Sequence, residues 1–352
     1  MSQTGRVINI LGFVFCFAAT FLSCMEIPKN KHEKQVLLVG KAQPVVRGAW
    51  RKMGDFFNEN AVYKFLFVLK GKAYFKVDMI YQDLESDFWC YDPSSNVFTP
   101  KQRLPTKDGG SVMMAIGEKG YYGPGLTFFN GDYTNVNSMW EYNPDTDVWS
   151  RKADFIVPEI EFPGIFVIGS NAYVCGWQSK NGYRYIADTY QYNSVSDSWS
   201  KKDGIYSLSR LKTTQLQFGF NGKGYLFGGG AGPVTEFGKM VDSLYVTTYS
   251  PQADRFTTLK TNNFPYDAAP QTSWIIGNSI FFYLGGKDYN FYTFKNEIWE
   301  FNTSNLTWKK NPDFTGPIRH GAFGFSVGDK AYICFGDNTG LIQYDDIWEY
   351  NP

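Results

Sequence analysis

Two histidines, His32 and His320, are all the imidazole in the 352-residue chain. Most imidazole catalysis and histidine metal ligation needs more. A Ser-His-Asp triad would have to be built on His320, and the chain has neither a G-x-S-x-G elbow nor a phosphate-binding loop. Carboxylates and arginines are the other groups able to do chemistry. Asp108, Glu159 or Glu161 could serve as general acid and base, with Arg210 or Arg319 orienting an anion. Asp145 and Asp147 are spaced like the start of a calcium loop, but the required glycine and closing glutamate are missing, so the pair reads as a turn. Gly222-Lys223-Gly224 with Gly228-Gly229-Gly230 is glycine-rich but joins strand to strand, which argues against a dinucleotide site. The sequence calls for no cofactor and no metal.

Whichever of these groups acts, a scaffold must hold it. The 34 basic and 34 acidic residues cancel, which removes the electrostatic footprint of phosphate-backbone binding and sets nucleic acid aside as a partner. Hydrophobic residues make up 43% of the chain and aromatics 18%, with 35 glycines. Such a composition builds a large core from strands rather than helices.

One pattern recurs about every fifty residues: Trp89-Cys90-Tyr91-Asp92-Pro93, Trp140-Glu141-Tyr142-Asn143-Pro144, Tyr190-Gln191-Tyr192-Asn193, Trp299-Glu300-Phe301-Asn302 and Trp348-Glu349-Tyr350-Asn351-Pro352. In the first four a closing aromatic follows nine residues after the leading one, at Phe98, Trp149, Trp199 and Trp308. A worn copy keeps Tyr249 and Phe256 but has Thr247 in the leading position. Upstream of each copy a hairpin is expected, turning at Lys70-Gly71, Glu118-Lys119, Ser170-Asn171, Asn221-Gly222, Gly277-Asn278 and Gly328-Asp329. Each repeat therefore supplies four strands.

This arrangement resembles the Kelch repeat, a four-stranded propeller blade, over about residues 46–352; Gly228-Gly229 and Gly285-Gly286 keep that family's glycine doublet. The resemblance implies an all-β, six-bladed Kelch-type β-propeller, one domain over 45–352. Ala49-Trp50-Arg51-Lys52 matches Thr307-Trp308-Lys309-Lys310, so residues 46–54 are expected to complete the last blade as its outer strand and close the ring.

The N-terminus reads as an address. Arg6 followed by the apolar run from Val7 to Leu22 forms a secretory signal peptide, residues 1–23. Phe21-Leu22-Ser23-Cys24 resembles a bacterial lipobox, which implies lipidation at Cys24, a polar tether over 24–44 and a place in the cell envelope as an outer-membrane lipoprotein. Within the domain, Cys175 and Cys334 occupy equivalent positions in blades that face each other across the ring. Those positions lie too far apart for a disulfide, which needs Cα atoms within about 7 Å. With Cys90 they are expected as small buried hydrophobes.

A residue type that recurs in every blade serves packing, whereas one peculiar to a single blade has no such explanation. By this rule the functional candidates are unrepeated residues on the face that carries the connections between second and third strands: Trp177, Tyr185, Phe129, Tyr289 and Tyr292, with Tyr81, Phe128, Tyr133, Tyr183, Phe237 and Phe291 beside them. Lead-in segments to the innermost strands add Arg210, Arg319, His320, Asp108 and Glu161. Aromatic platforms beside carboxylates and arginines suit sugars, the rings stacking on apolar sugar faces while charges take the hydroxyls. The expected function is a monomeric, lipid-anchored, non-catalytic binding module for a glycan or an envelope protein. The alternative is a sugar mutarotase or epimerase, since Kelch-type sialic acid mutarotases are exported six-bladed proteins of similar length.

Overall fold

The computed structural model describes residues 37–38, 47–56, 61–79, 86–106, 113–129, 132–157, 164–178, 185–204, 216–228, 245–259, 269–286, 295–338 and 343–352. The expected signal peptide and Cys24 lie outside them. The strands form six antiparallel blades. Blade 1 comprises Ala61–Leu69, Lys72–Met79, Ser86–Asp92 and Val97–Lys101; blade 2, Met113–Ile116, Lys119–Tyr122, Met139–Asn143 and Val148–Lys152; blade 3, Gly164–Ile168, Asn171–Gln178, Tyr185–Asn193 and Ser198–Lys202. Blade 4 comprises Leu216–Phe220, Lys223–Gly228, Tyr245–Ser250 and Arg255–Leu259; blade 5, Ala269–Ile276, Ser279–Gly286, Glu297–Asn302 and Thr307–Asn311; blade 6, Phe323–Val327, Lys330–Cys334 and Asp346–Asn351. The outer strand of blade 6 is Ala49–Asp55, antiparallel to Asp346–Asn351 with Trp50 opposite Tyr350. Each innermost strand touches the next around the molecule, and that of blade 6 touches that of blade 1. The chain is a six-bladed β-propeller.

Sequence pattern tracks position within a blade. Second strands, flanked by neighbours on both faces, are buried almost continuously over Ala73–Val77, Ala172–Cys175, Ile280–Leu284 and Ala331–Cys334. Outer strands bury one aromatic and expose basic side chains, as Arg151 in Val148–Lys152 and Lys309 and Lys310 in Thr307–Asn311. Charge on such an edge discourages pairing with another chain. Blade 1 differs. Its outer strand carries Pro100, and within the stretch expected as a tether Leu37–Leu38 pairs with it as a fifth strand, Leu37 opposite Phe98.

Two expected turns sit one residue early. Blade 2 turns at Gly117-Glu118 and blade 3 at Gly169-Ser170, because Gly117 and Gly169 supply the positive φ of 60° that a two-residue turn needs at its first position. The connection 124–137 of blade 2, expected as a loop, contains a hairpin, Gly125–Phe129 with Asp132–Val136.

The recurring tyrosine and acid of each repeat form one device. Tyr91, Tyr142, Tyr192 and Tyr249 donate their hydroxyls to Asn96, Asp147, Asp197 and Asp254 at 2.8, 2.7, 2.7 and 2.5 Å. Each acceptor holds a left-handed backbone, φ 45° to 56°, and its side chain also bonds the backbone of the preceding blade: Met53 O, Gln102 N, Ala153 N and Asp203 N. Asp147 is thus an inter-blade stitch, and Asp145 pairs with Lys70 of blade 1 at 2.6 Å. Blade 5 lacks the device, with Phe301 and Leu306 in those places.

These stitches make stability depend on acid pH. Burial would lift the Asp197 carboxyl, yet the Ala153 amide, the Tyr192 hydroxyl and Lys152 hold it below the ordinary aspartate value. Asp254 is lowered likewise, its burial outweighed by Tyr249, the Asp203 and Gly204 amides and Lys202. A carboxyl depressed in the folded state stabilises above its unfolded pKa and loses that contribution as pH falls through its folded value. Melting temperature should therefore hold down to about pH 4 and fall below it. The decline should be shallower in the double variant Asp197→Asn, Asp254→Asn, measured by circular dichroism; parallel profiles would refute the assignment.

Cys90, Cys175 and Cys334 are buried and unbridged. Opposite Cys175 stands Thr189, in the place filled by Phe88, Met139, Val246, Ile298 and Ile347 in the other blades. Its hydroxyl is fully buried without a hydrogen-bond partner among the described residues. Thr189→Val removes that orphan at constant shape and should stabilise the protein by about 1 kcal/mol in urea unfolding. A loss of stability would mean the hydroxyl is satisfied.

Candidate functional site

Of the expected binding residues, Arg319 and His320 are described with their side chains. They lie where the chain leads into the innermost strand of blade 6. Arg319 is fully buried. Its Nη1 donates to Asp346 Oδ1 at 2.5 Å and to Phe335 O at 3.0 Å, Nη2 to Asp346 Oδ2 at 3.2 Å and Nε to Pro317 O at 3.1 Å. The guanidinium also sits over the rings of Phe314 and Tyr344, 5.1 and 4.6 Å from their centroids. Its backbone N–H donates to the Tyr283 hydroxyl at 3.2 Å, and that hydroxyl donates to Asn296. Burial pushes the Tyr283 phenol up to about 12, so it stays protonated and able to donate. These contacts make Arg319 a clamp between blades 5 and 6, its fork spent on Asp346.

His320 is only half-buried and exchanges backbone hydrogen bonds with Asp337 at 2.7 and 2.8 Å. Asp337 in turn bridges to Gln343, and the Gly321 amide donates to Gln271 Oε1 at 3.2 Å. The rim of blade 6 is thereby tied to the connection between its second and third strands. Gln271 carries no sequence signal, since nothing in its surroundings repeats.

The aromatic candidates of blades 2 and 3 sit on strands. Trp177 pairs with Ile186 and Gln178 with Tyr185, so Trp177 and Tyr185 occupy adjoining rungs of one extended hairpin. In blade 2, Phe129 pairs with Asp132 and Phe128 with Tyr133. Both hairpins connect second to third strands, which puts them on the same propeller face, and their blades are neighbours. The structure thus places two paired hairpins, carrying these aromatic residues, on one face of neighbouring blades where loops were expected. Asp108, Glu161, Arg210, Tyr289 and Tyr292 lie outside the described residues, as do Tyr81, Glu159, Tyr183, Phe237 and Phe291.

No family model matches the chain, and no curated protein matches it. Among solved structures, one described as "Structure of YjhT" is similar at 15% identity and a TM-score of 0.49, covering 67% of this chain and 74% of that one.

Proposed function

We propose that the protein is an exported, lipid-anchored Kelch-type propeller that binds a glycan without catalysis, through the face bearing the hairpins of blades 2 and 3. The observation that carries this reading is the regular pairing of those hairpins. Ladder hydrogen bonds hold the backbones of Phe128, Phe129, Tyr133, Trp177 and Tyr185 in fixed register. A rigid platform loses little entropy when a sugar stacks on it. The mutarotase alternative would use Arg210 or Arg319 to orient an anionic sugar, and the Arg319 guanidinium is already committed to Asp346.

A glycan array with the chain lacking residues 1–24 should give a defined set of ligands, and Trp177→Ala or Tyr185→Ala should weaken binding by about tenfold, the worth of one stacked ring. An empty array beside capture of a specific envelope protein would replace the glycan by a protein partner. Anomer exchange of sialic acid accelerated over buffer would overturn the non-catalytic reading. For the anchor, radiolabelled palmitate should enter the wild-type protein in a bacterial host and not Cys24→Ala; equal labelling would refute lipidation there.

A further inference from the structure

The middle glutamate of the repeated Trp-Glu-Tyr motif has a defined task. In blade 2, Glu141 accepts from the Tyr121 hydroxyl at 2.5 Å, with Lys152 Nζ at 3.5 Å. In blade 6, Glu349 accepts from Tyr332 at 2.8 Å, with Arg51 and Lys330 at 2.7 and 3.2 Å. Blade 5 uses Glu300 in the same way, accepting from Ser279 at 2.6 Å and Asn311 at 3.2 Å. The carboxylate gathers a hydroxyl from the second strand and a donor from the outer strand.

Blade 1 keeps the donors and lacks the acid. The register sets Tyr74 opposite Cys90, and Cys90 opposite Thr99, so Cys90 stands in the glutamate's place. Tyr74 corresponds to Tyr121 and Tyr332, Lys101 to Lys152, and Lys72 to Lys330. Burial pushes the Cys90 thiol up, so it carries no negative charge to replace the carboxylate. The shorter side chain leaves a groove of about 350 Å³ between blades 1 and 2, walled by Lys70, Lys72, Tyr74, Cys90, Asp92 and Lys101, with Ser95, Thr99, Val97, Pro144 and Asp145 completing it. Lys70 pairs with Asp145 at 2.6 Å and Lys72 with Asp92 at 2.9 Å. Lys70 also meets Glu118 at 3.4 Å, so Lys70 and Lys72 are matched by carboxylates, whereas among the described residues Lys101 has no carboxylate in reach.

We propose that this groove binds a small hydroxylated carboxylic acid, of hexuronate size, whose carboxylate takes the place of the missing glutamate between Tyr74 and Lys101. The volume sits at the lower end of the range for small-molecule sites, about 300–1,000 Å³. Ser95 and Thr99 offer hydroxyls to the ligand's own, and Val97 and Pro144 offer apolar wall. The groove opens beside the tight turns at 70–71 and 93–96, at the strand ends opposite the aromatic hairpins, so the site is separate from the glycan face.

Isothermal titration of the purified chain with glucuronate, galacturonate and lactate, and with glucose as the neutral control, tests the proposal. At least one acid should bind, with glucose weaker by about tenfold or more, the worth of a charge-assisted pair. Lys101→Met should weaken that acid by about tenfold or more. Cys90→Glu should abolish its binding while leaving the melting temperature equal or higher, because the built-in carboxylate reproduces blade 2. Lys101 lies on an outer strand, so its variant keeps the test decisive if Cys90→Glu fails to fold. No binding of any of the three acids at about 10 mM, or binding undiminished in Lys101→Met, overturns the proposal.

Discussion

Arg319→Met will destabilise the propeller by about 3–5 kcal/mol, the cost of leaving one member of a buried ion pair without its partner. Asp346 is 5% exposed and, among the described residues, its carboxylate keeps only the Trp348 indole N–H, at 2.8 Å, once the guanidinium is gone. Phe335 O and Pro317 O lose their donor in the same step, and Phe314 and Tyr344 lose the cation between them. Urea unfolding followed by tryptophan fluorescence measures the change. Arg319→Met combined with Asp346→Leu should recover part of the loss, since removing both charges leaves no buried ion to solvate. A single variant that unfolds within about 1 kcal/mol of wild type would show that the pair is hydrated, and would return Arg319 to the residues able to meet a ligand.

That prediction concerns a residue the sequence offers for binding and the structure commits to packing. The repeat rule selects Arg319 because a charged residue at the blade entry does not recur in every blade, but such a residue can also be a local clamp. The rule works better where the pattern itself breaks. Cys90, where blades 2, 5 and 6 carry glutamate and blades 3 and 4 carry Gln191 and Thr248, is visible in the letters, yet its meaning depends on knowing that Glu141 and Glu349 accept from Tyr121 and Tyr332. Those bonds join strands 17 to 20 residues apart, and only the register reveals them. The tyrosine–aspartate stitches were half legible: Tyr142 and Asp147 recur at a fixed spacing of five, but the second bond, to Gln102 of the blade before, crosses 45 residues. The hairpin at 125–136 was hidden for another reason. Its strands, GLTFF and DYTNV, lack apolar alternation, so ladder bonds rather than side-chain burial had to be anticipated. Leu37–Leu38 is two residues long and gives no periodicity at all.

Trp50→Ala should cost about 3–5 kcal/mol, as for a buried aromatic replaced by alanine, despite lying near the end of the chain. Trp50 stacks on Tyr350 with centroids 4.9 Å apart and 26° between planes, meets Phe314 edge-on at 4.9 Å and approaches Trp274 at 6.2 Å. Those three partners come from blades 5 and 6, so one indole joins the N-terminal strand to two blades about 220 to 300 residues away. Its neighbour Arg51 meets the buried Glu349 at 2.7 Å, which fixes the register of the same strand by charge. The decisive reading is the shape of the transition. If Ala49–Asp55 is integral to blade 6, Trp50→Ala lowers the urea midpoint of the whole domain with an unchanged slope, because the blades unfold together. If the strand merely lies on the surface, the loss stays under about 1 kcal/mol and the midpoint barely moves. Trp149→Ala is the matched control: Trp149 fills the same place in blade 2, where the outer strand follows its neighbour through a four-residue turn. Equal losses from the two variants would mean that a strand supplied from the far end of the sequence holds its blade as firmly as one supplied from next door. That equality is expected once the ring has formed, since the cost of bringing the N-terminus round grows only as the logarithm of the chain between and is met in the unfolded state of both variants alike.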